Sequence, residues 1–290
     1  MRIAHVIMAH KNKDQLLRLI QSLNHPMFDI YLHIDAKVHL EQFESFNAIP
    51  NFKFIKNRSI CNWGGYSLFK GILNCMDEVL NSGVKYDFIN LLSGQDYPIC
   101  STTEIYNFFK NNQGKSFLAF EDSDQSLWWK EAAYRFQMYH FTDFNFTGKY
   151  FIQKIINKIA PARKFPEAMT LYGGNKACWW TISSESAVYI LEQLKSKSKL
   201  NRFLRFCWGT DEFVIPTLLM NSPLKGSIVN NNFRYIDWSE GNPNPKILRT
   251  ADFINIMDSK MLFARKFDID IDPAVMDEID TVLLNLNPPE

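Results

Sequence analysis

The feature that most constrains this chain is a repeated switch of hydrophobic period along its first third. Arg2–Ala9 is a nearly continuous apolar run that reads as a buried strand. Lys13–Leu23 then sets Leu16, Leu17, Leu19, Ile20 and Leu23 at helical spacing. Asp29–Asp35 is a second strand that ends on a carboxylate, and Phe52–Ile55 a third. Ser67–Leu80 is a helix with Leu68, Ile72, Leu73, Met76 and Leu80 inward; Asp87–Leu92 is a further strand, followed by the loop SGQDYP and a helix from Thr102. Such alternation predicts a mostly parallel sheet with helices on its faces. Sheets of that kind bind ligands beyond the carboxyl ends of their strands, where His10, Asp35 and Asp96 fall.

Beyond this region the pattern is less regular. Residues 121–175 mix aromatic and basic side chains without a clear period. Ala177–Ser183 reads as a strand, Ser184–Leu194 as a serine-capped helix, and Thr210–Met220 as a helix that Pro216 either kinks or marks as a short first segment. Ser239–Pro245 is a loop. No repeat or low-complexity linker divides the chain, so a single α/β domain over residues 1–290 is expected.

The bulk numbers exclude some partners. Hydrophobic residues at 46% and charged residues at 22% suit a globular chain rather than a disordered one. A net charge of +1 supplies no global field for nucleic acid or an anionic membrane, so any polyanion must meet a local cluster. Nucleic acid is therefore not expected as a partner. The five cysteines, at 61, 75, 100, 178 and 207, are odd in number and form no CxxC pair, which points to reduced thiols. The polar run His10–Asp14 ends the weakly signal-like start early, with no small-residue cleavage site after it, and no apolar stretch approaches a membrane span. A cytoplasmic protein is expected, with peripheral association at the inner face of a membrane as an option.

Positive charge for a departing phosphate can come from a metal held by an Asp-x-Asp motif or from Arg and Lys. The Asp-x-Asp strings here are Asp122–Asp124 and the run Asp268–Asp272, and neither follows a strand of the predicted sheet. The second reads as a solvated acidic stretch, with metal binding a minority alternative. Arg249, Arg265 and Lys266 are the alternative source of charge, each an ordinary surface cation if taken alone.

The ordered motifs HIDAK (33–37), NWGGYSL (62–68), NLLSGQDYPI (90–99), WWTIS (179–183), WGTDEFVIPTLLMNS (208–222), RYIDW (234–238) and ARKFD (264–268) resemble the core-2/I-branching N-acetylglucosaminyltransferase family, shared with peptide O-xylosyltransferases. The resemblance runs from about residue 3 to about residue 270. It implies a single-domain GT-A-type (Rossmann-like) fold with a mixed, mostly parallel sheet. Residues 1–115 would form a nucleotide-binding half, 116–270 an acceptor and catalytic half, and 271–290 a C-terminal tail. It also implies inverting transfer from a UDP-sugar to a glycan hydroxyl, with UDP-GlcNAc the first donor and UDP-xylose the second. No metal or other cofactor is implied, since some members work without a divalent ion; a metal-dependent hexosyltransferase and an inactive sugar- or nucleotide-binding module are the rival readings.

Carried over residue by residue, Glu212 is the implied general base, with Asp211 a cap or support. Lys266 and Arg249 match the diphosphate-contacting pair, and Arg265 replaces Arg249 if the register slips. His10, Asp35 and Trp63 match positions near the uridine, and Asp96 either meets the donor sugar or fixes its loop. For the acceptor the implied region supplies Glu121, Trp128, Lys130 and Arg135. Trp179 and Trp180 alternate across a strand, so one of them faces the site; Trp180 is carried as the candidate. The secreted enzymes' disulfide framework is not reproduced, so their acceptor does not carry over.

Overall fold

A computed structural model describes residues 1–124 and 126–286. In chain order its strands are β1 (Ile3–Ala9), β2 (Phe28–Ile34), β3 (Phe52–Phe54), β4 (Phe88–Ser93), β5 (Asp96–Pro98), β6 (Ser116–Leu118), β7 (Glu121–Asp122), β8 (Tyr172–Gly173), β9 (Thr181–Ser183), β10 (Ile228–Asn230), β11 (Arg234–Ile236) and β12 (Phe263–Arg265). Seven form the central sheet in the order β10-β6-β9-β4-β1-β2-β3. All its neighbours are parallel except β9, which runs antiparallel to β4 and β6. The sheet is thus mixed and mostly parallel, as the GT-A-type expectation required. It draws strands from both halves of the chain, so the two share one framework.

The pleat of β1 explains the two-sided core. Ile3 and Ile7 join a cluster on one face that also holds Leu16, Leu19 and Ile20 of the helix Lys13–Ser22. Ala4, Val6 and Met8 join the opposite cluster with Phe69, Ile72 and Met76 of the helix Tyr66–Leu80. Alternate residues of a strand must face opposite ways, and both faces here are covered, which is why β1 reads as a continuous apolar run rather than an alternating one.

A three-stranded sheet, β11-β12-β5, packs against this layer. β12 runs antiparallel to β5 in a register that pairs Arg265 with Asp96. Behind it Arg234 is fully enclosed, donating to Asn90 Oδ1, to the carbonyls of Leu91 and Trp180 at 3.0 Å, and to the Asn232 carbonyl. Burial lowers its pKa to about 10.

Several expectations need correction. The segment 121–175 is not irregular: it carries helices Leu127–Ala132, Tyr134–Gln137 and Lys149–Ile159. Within the expected C-terminal tail 271–290, the described residues to 286 include a packed helix. Ala274–Leu286 is a helix that buries Val275, Met276 and Ile279, and its Asp280 accepts from Arg18 at 2.7 Å and from the Tyr97 hydroxyl at 2.6 Å. Asp268–Asp272 is not simply solvated either. Asp268 is buried and accepts from Lys11 Nζ at 2.7 Å, while Asp272 accepts the Thr250 N–H at 3.0 Å. Of Ala177–Ser183, only Thr181–Ser183 is strand.

The helix expected over 210–220 is two pieces. Thr210–Glu212 is a single 3-10 turn, Phe213 departs from helical geometry at φ −142°, and an α-helix resumes at Val214–Met220. Pro216 therefore lies in the first turn of the second piece, where a missing N–H has no partner to lose. The consequence is that Asp211 and Glu212 sit on a turn rather than in mid-helix.

Candidate active site

The carboxyl ends of β1, β2 and β4 open onto a cleft of about 460 Å³. His10, Asp35 and Gly94 line it, each the residue just after or near a strand end, which is where a parallel sheet leaves its crevice. Asp211, Glu212, Arg265 and Lys266 line the same cleft.

Glu212 is positioned by backbone on both sides. Its N–H donates to the Gly209 carbonyl at 3.0 Å, and its own carbonyl accepts from Gly174 N–H at 3.1 Å. A Cβ on Gly173 would come within 2.7 Å of that carbonyl, so only glycine allows the β8 backbone this close. The Glu212 carboxylate forms an ion pair with Arg135 through Oε2. Arg135 is itself clamped, its Cζ 4.9 Å from the Trp128 ring centre and 4.6 Å from that of Trp208. Burial pushes the Glu212 carboxyl up to about 7, the neighbouring Arg135 cation pulls it down, and Asp211 adds to the rise. Asp211 is likewise raised, mainly by burial.

The cations on the facing side differ in freedom. Arg265 donates through Nε to Asp96 Oδ1 at 2.9 Å and lies over the Trp179 ring with Cζ 4.3 Å from its centre. Asp96 also accepts from the Ser93 N–H at 3.0 Å and hydroxyl at 2.8 Å. Asp96, 1% exposed, does not line the cleft; it fixes Arg265 and the Ser93 turn. Lys266 lines the cleft beside it, its ammonium lowered first by burial and then by Arg265 and Lys11. Lys11 and Lys37 add two further cations from the loops after β1 and β2.

At the end of β2, Asp35 is buried and accepts the Lys37 N–H at 2.8 Å and the Cys61 N–H at 3.2 Å, so it ties the loop at 61 to the strand end. His10 is lowered by burial and by Lys11. Trp63 lines the cleft, 61% exposed, nearly perpendicular to Trp208 with ring centres 5.0 Å apart.

Not every candidate comes to the cleft. Arg249 is exposed and outside its lining, because the loop that carries it passes behind Lys266. Arg265 lines the cleft. Trp180, at 1% exposed, is packed in the core, and its neighbour Trp179 lines the cleft instead, just ahead of β9. Lys130 is exposed and away from the lining. Glu121 accepts from Ser126 Oγ and holds the turn before helix Leu127–Ala132. Trp128 reaches the site indirectly, donating at 2.6 Å to Asn175, which lines the cleft.

Lys11, Lys37 and Trp238 are among the lining residues that the sequence reading did not single out. Lys11 directly follows His10 and Lys37 lies two residues after Asp35, so their place after strand ends was the available signal. Trp238 lies in the motif RYIDW, but nothing there marked its direction. The indole N–H groups of Trp179 and Trp238 are both buried without a partner among the described residues.

A buried carboxylate and cations lining one cleft, at the open end of a mostly parallel α/β sheet, fit the glycosyltransferase class. The chain belongs to the Core-2/I-branching enzyme family, whose sequence profile matches residues 3–262. Among curated relatives it is 26% identical to xylosyltransferase 2 of Canis lupus familiaris over 99% of this chain and 34% of that protein. The human xylosyltransferase 2 gives 26% over the same shares, and Drosophila pseudoobscura pseudoobscura xylosyltransferase oxt gives 24% over 92% of this chain and 31% of that protein. The chain thus spans about a third of the length of these relatives. Among solved structures, mouse xyloside xylosyltransferase 1 in its apo form aligns over 90% of this chain and 97% of that one, at 9% identity and a TM-score of 0.39. Staphylococcus aureus TarS aligns over 98% of this chain and 40% of that one, at 11% identity and a TM-score of 0.37.

Proposed function

We propose that this protein is an inverting glycosyltransferase that moves a sugar from a UDP-sugar to a hydroxyl of a glycan or glycoconjugate. The carrying observation is that the raised Glu212 carboxyl and the cations Arg265 and Lys266 line one cleft. Glu212 accepts the proton of the acceptor hydroxyl as its oxygen attacks the anomeric carbon. The bond from that carbon to the β-phosphate oxygen breaks, and UDP leaves with the negative charge. Lys266 and Arg265 stabilise that charge, so fixed cations do what a metal does in other enzymes. Trp63, Asp35 and His10 take the uridine end.

The names of the curated relatives favour UDP-xylose over UDP-GlcNAc as donor. A donor-hydrolysis screen with both sugars, run with EDTA and with manganese, tests the reading. Turnover of UDP-xylose unchanged by EDTA is expected; a strict need for manganese would overturn the cation-based mechanism, and turnover of UDP-GlcNAc alone would reverse the donor preference.

A further inference from the structure

The helix Lys149–Ile159 is turned inside out. Its polar side chains face the protein: Gln153 Oε1 accepts the Phe141 N–H at 2.7 Å, Asn157 Oδ1 accepts the Tyr139 N–H at 2.8 Å, and Asn157 Nδ2 donates to the Tyr139 carbonyl at 2.8 Å. Its apolar side chains face outward, with Phe151 69%, Ile155 44% and Ile159 76% exposed, and none of its residues is buried. Positions 151, 155 and 159 succeed one another at helical i, i+4 spacing and so form one stripe. Lys154 and Lys158 are exposed along its edge. Between Asp143 and Glu167 there are five cations, Lys149, Lys154, Lys158, Arg163 and Lys164, and no acidic residue. Lys149 and Arg163 donate inward to backbone carbonyls, so Lys154 and Lys158 are the cations set along the apolar ridge, with Lys164 exposed just beyond it.

We propose that this helix docks the protein onto an anionic lipid surface, lying in the interface with Phe151, Ile155 and Ile159 among the acyl chains and the lysines at the headgroups. The pattern is that of an interfacial amphipathic helix, whose binding combines buried apolar area with attraction to anionic lipid. Charge complementarity selects this occupant over a second copy of the chain, since pairing two such ridges would set lysine against lysine. The helix is also joined to the site: the segment it anchors, 139–141, continues directly from Tyr134–Gln137, which carries Arg135. Docking would hold the acceptor side of the cleft near the membrane plane. The proposal stands independently of sugar transfer, because it uses no residue of the cleft.

Flotation of the full chain with vesicles of phosphatidylcholine alone, and of equal parts phosphatidylcholine and phosphatidylglycerol, tests it. Binding to the anionic vesicles only is expected, weakening as salt rises. The double variant Lys154→Glu, Lys158→Glu should reduce partitioning roughly tenfold or more. Phe151→Ser with Ile155→Ser should reduce it comparably, and both should keep the wild-type near-ultraviolet circular dichroism, since the altered side chains are exposed. Absence of binding to the anionic vesicles, or binding indifferent to both double variants, would overturn the proposal. So would a dimer, seen by analytical ultracentrifugation, that the Phe151→Ser, Ile155→Ser change dissolves, because the ridge would then be a self-association surface.

Discussion

The carboxyl of Glu212 is governed by two opposed influences, burial that raises its pKa to about 7 and the Arg135 cation that draws it back. A general base must be ionised, so activity should rise with pH through a limb near that value. That limb belongs to the coupled Asp211–Glu212 pair rather than to either alone. The sign for stability is opposite. A carboxyl raised in the folded state binds its proton more tightly there than in the unfolded chain, so ionising it as pH climbs through the limb costs stability. Arg135→Met removes the cation that lowers the pKa. Its pH–rate profile should shift to higher pH by about one unit or more, with reduced turnover at neutral pH. An unshifted limb would show that Arg135 does not act on the base.

Elements set these side chains through a few positions that tolerate no side chain of their own. Gly64 has φ +71°, and a Cβ there would overlap the Trp208 indole, one of the two rings that clamp Arg135. Gly83 has nearly the same backbone, φ +79°, with nothing within 4 Å of a Cβ. Alanine at either position pays for left-handed backbone, about 1–2 kcal/mol. Gly64→Ala should lose about 1–3 kcal/mol beyond that by overpacking, and activity with it. Urea melts of the two variants make the comparison, and equal losses would deny the packing role of Gly64. Elements of this size also decide what sequence could foretell. β1, β2, β4 and the helices Lys13–Ser22 and Tyr66–Leu80 were legible because each has a long periodic or continuous apolar run. β5, β11 and β12 are three residues each, too short to carry a period, and their pairing depends on contacts between distant parts of the chain. The helix Lys149–Ile159 also carries a helical apolar period, and the reading of 121–175 as a mix of aromatic and basic residues passes over it. The turn at Thr210–Glu212 was read as helix because the apolar pattern of Val214–Met220 follows without a gap.

At the scale of the whole molecule, the sheet brings together residues far apart in sequence: loops after β1 and β2, the turn at 209–213, and β12. Glu212, Asp35, His10, Trp63 and Lys266 could be named because each lies in a short motif that the family resemblance covers. The exchange of Arg249 for Arg265 and of Trp180 for Trp179 could not be resolved from sequence. Both turn on which way a backbone of known position faces, and that is fixed only by the β12–β5 register and the packing of β9 in the core. The single measurement that bears most directly on the function is transfer by Glu212→Gln set beside its affinity for UDP. Glutamine keeps the size of the side chain and removes its basicity, while the cations and the uridine end of the cleft stay in place. Transfer should fall by about a thousandfold or more with UDP affinity nearly unchanged. Transfer within a few-fold of wild type would contradict the role of Glu212 as the base.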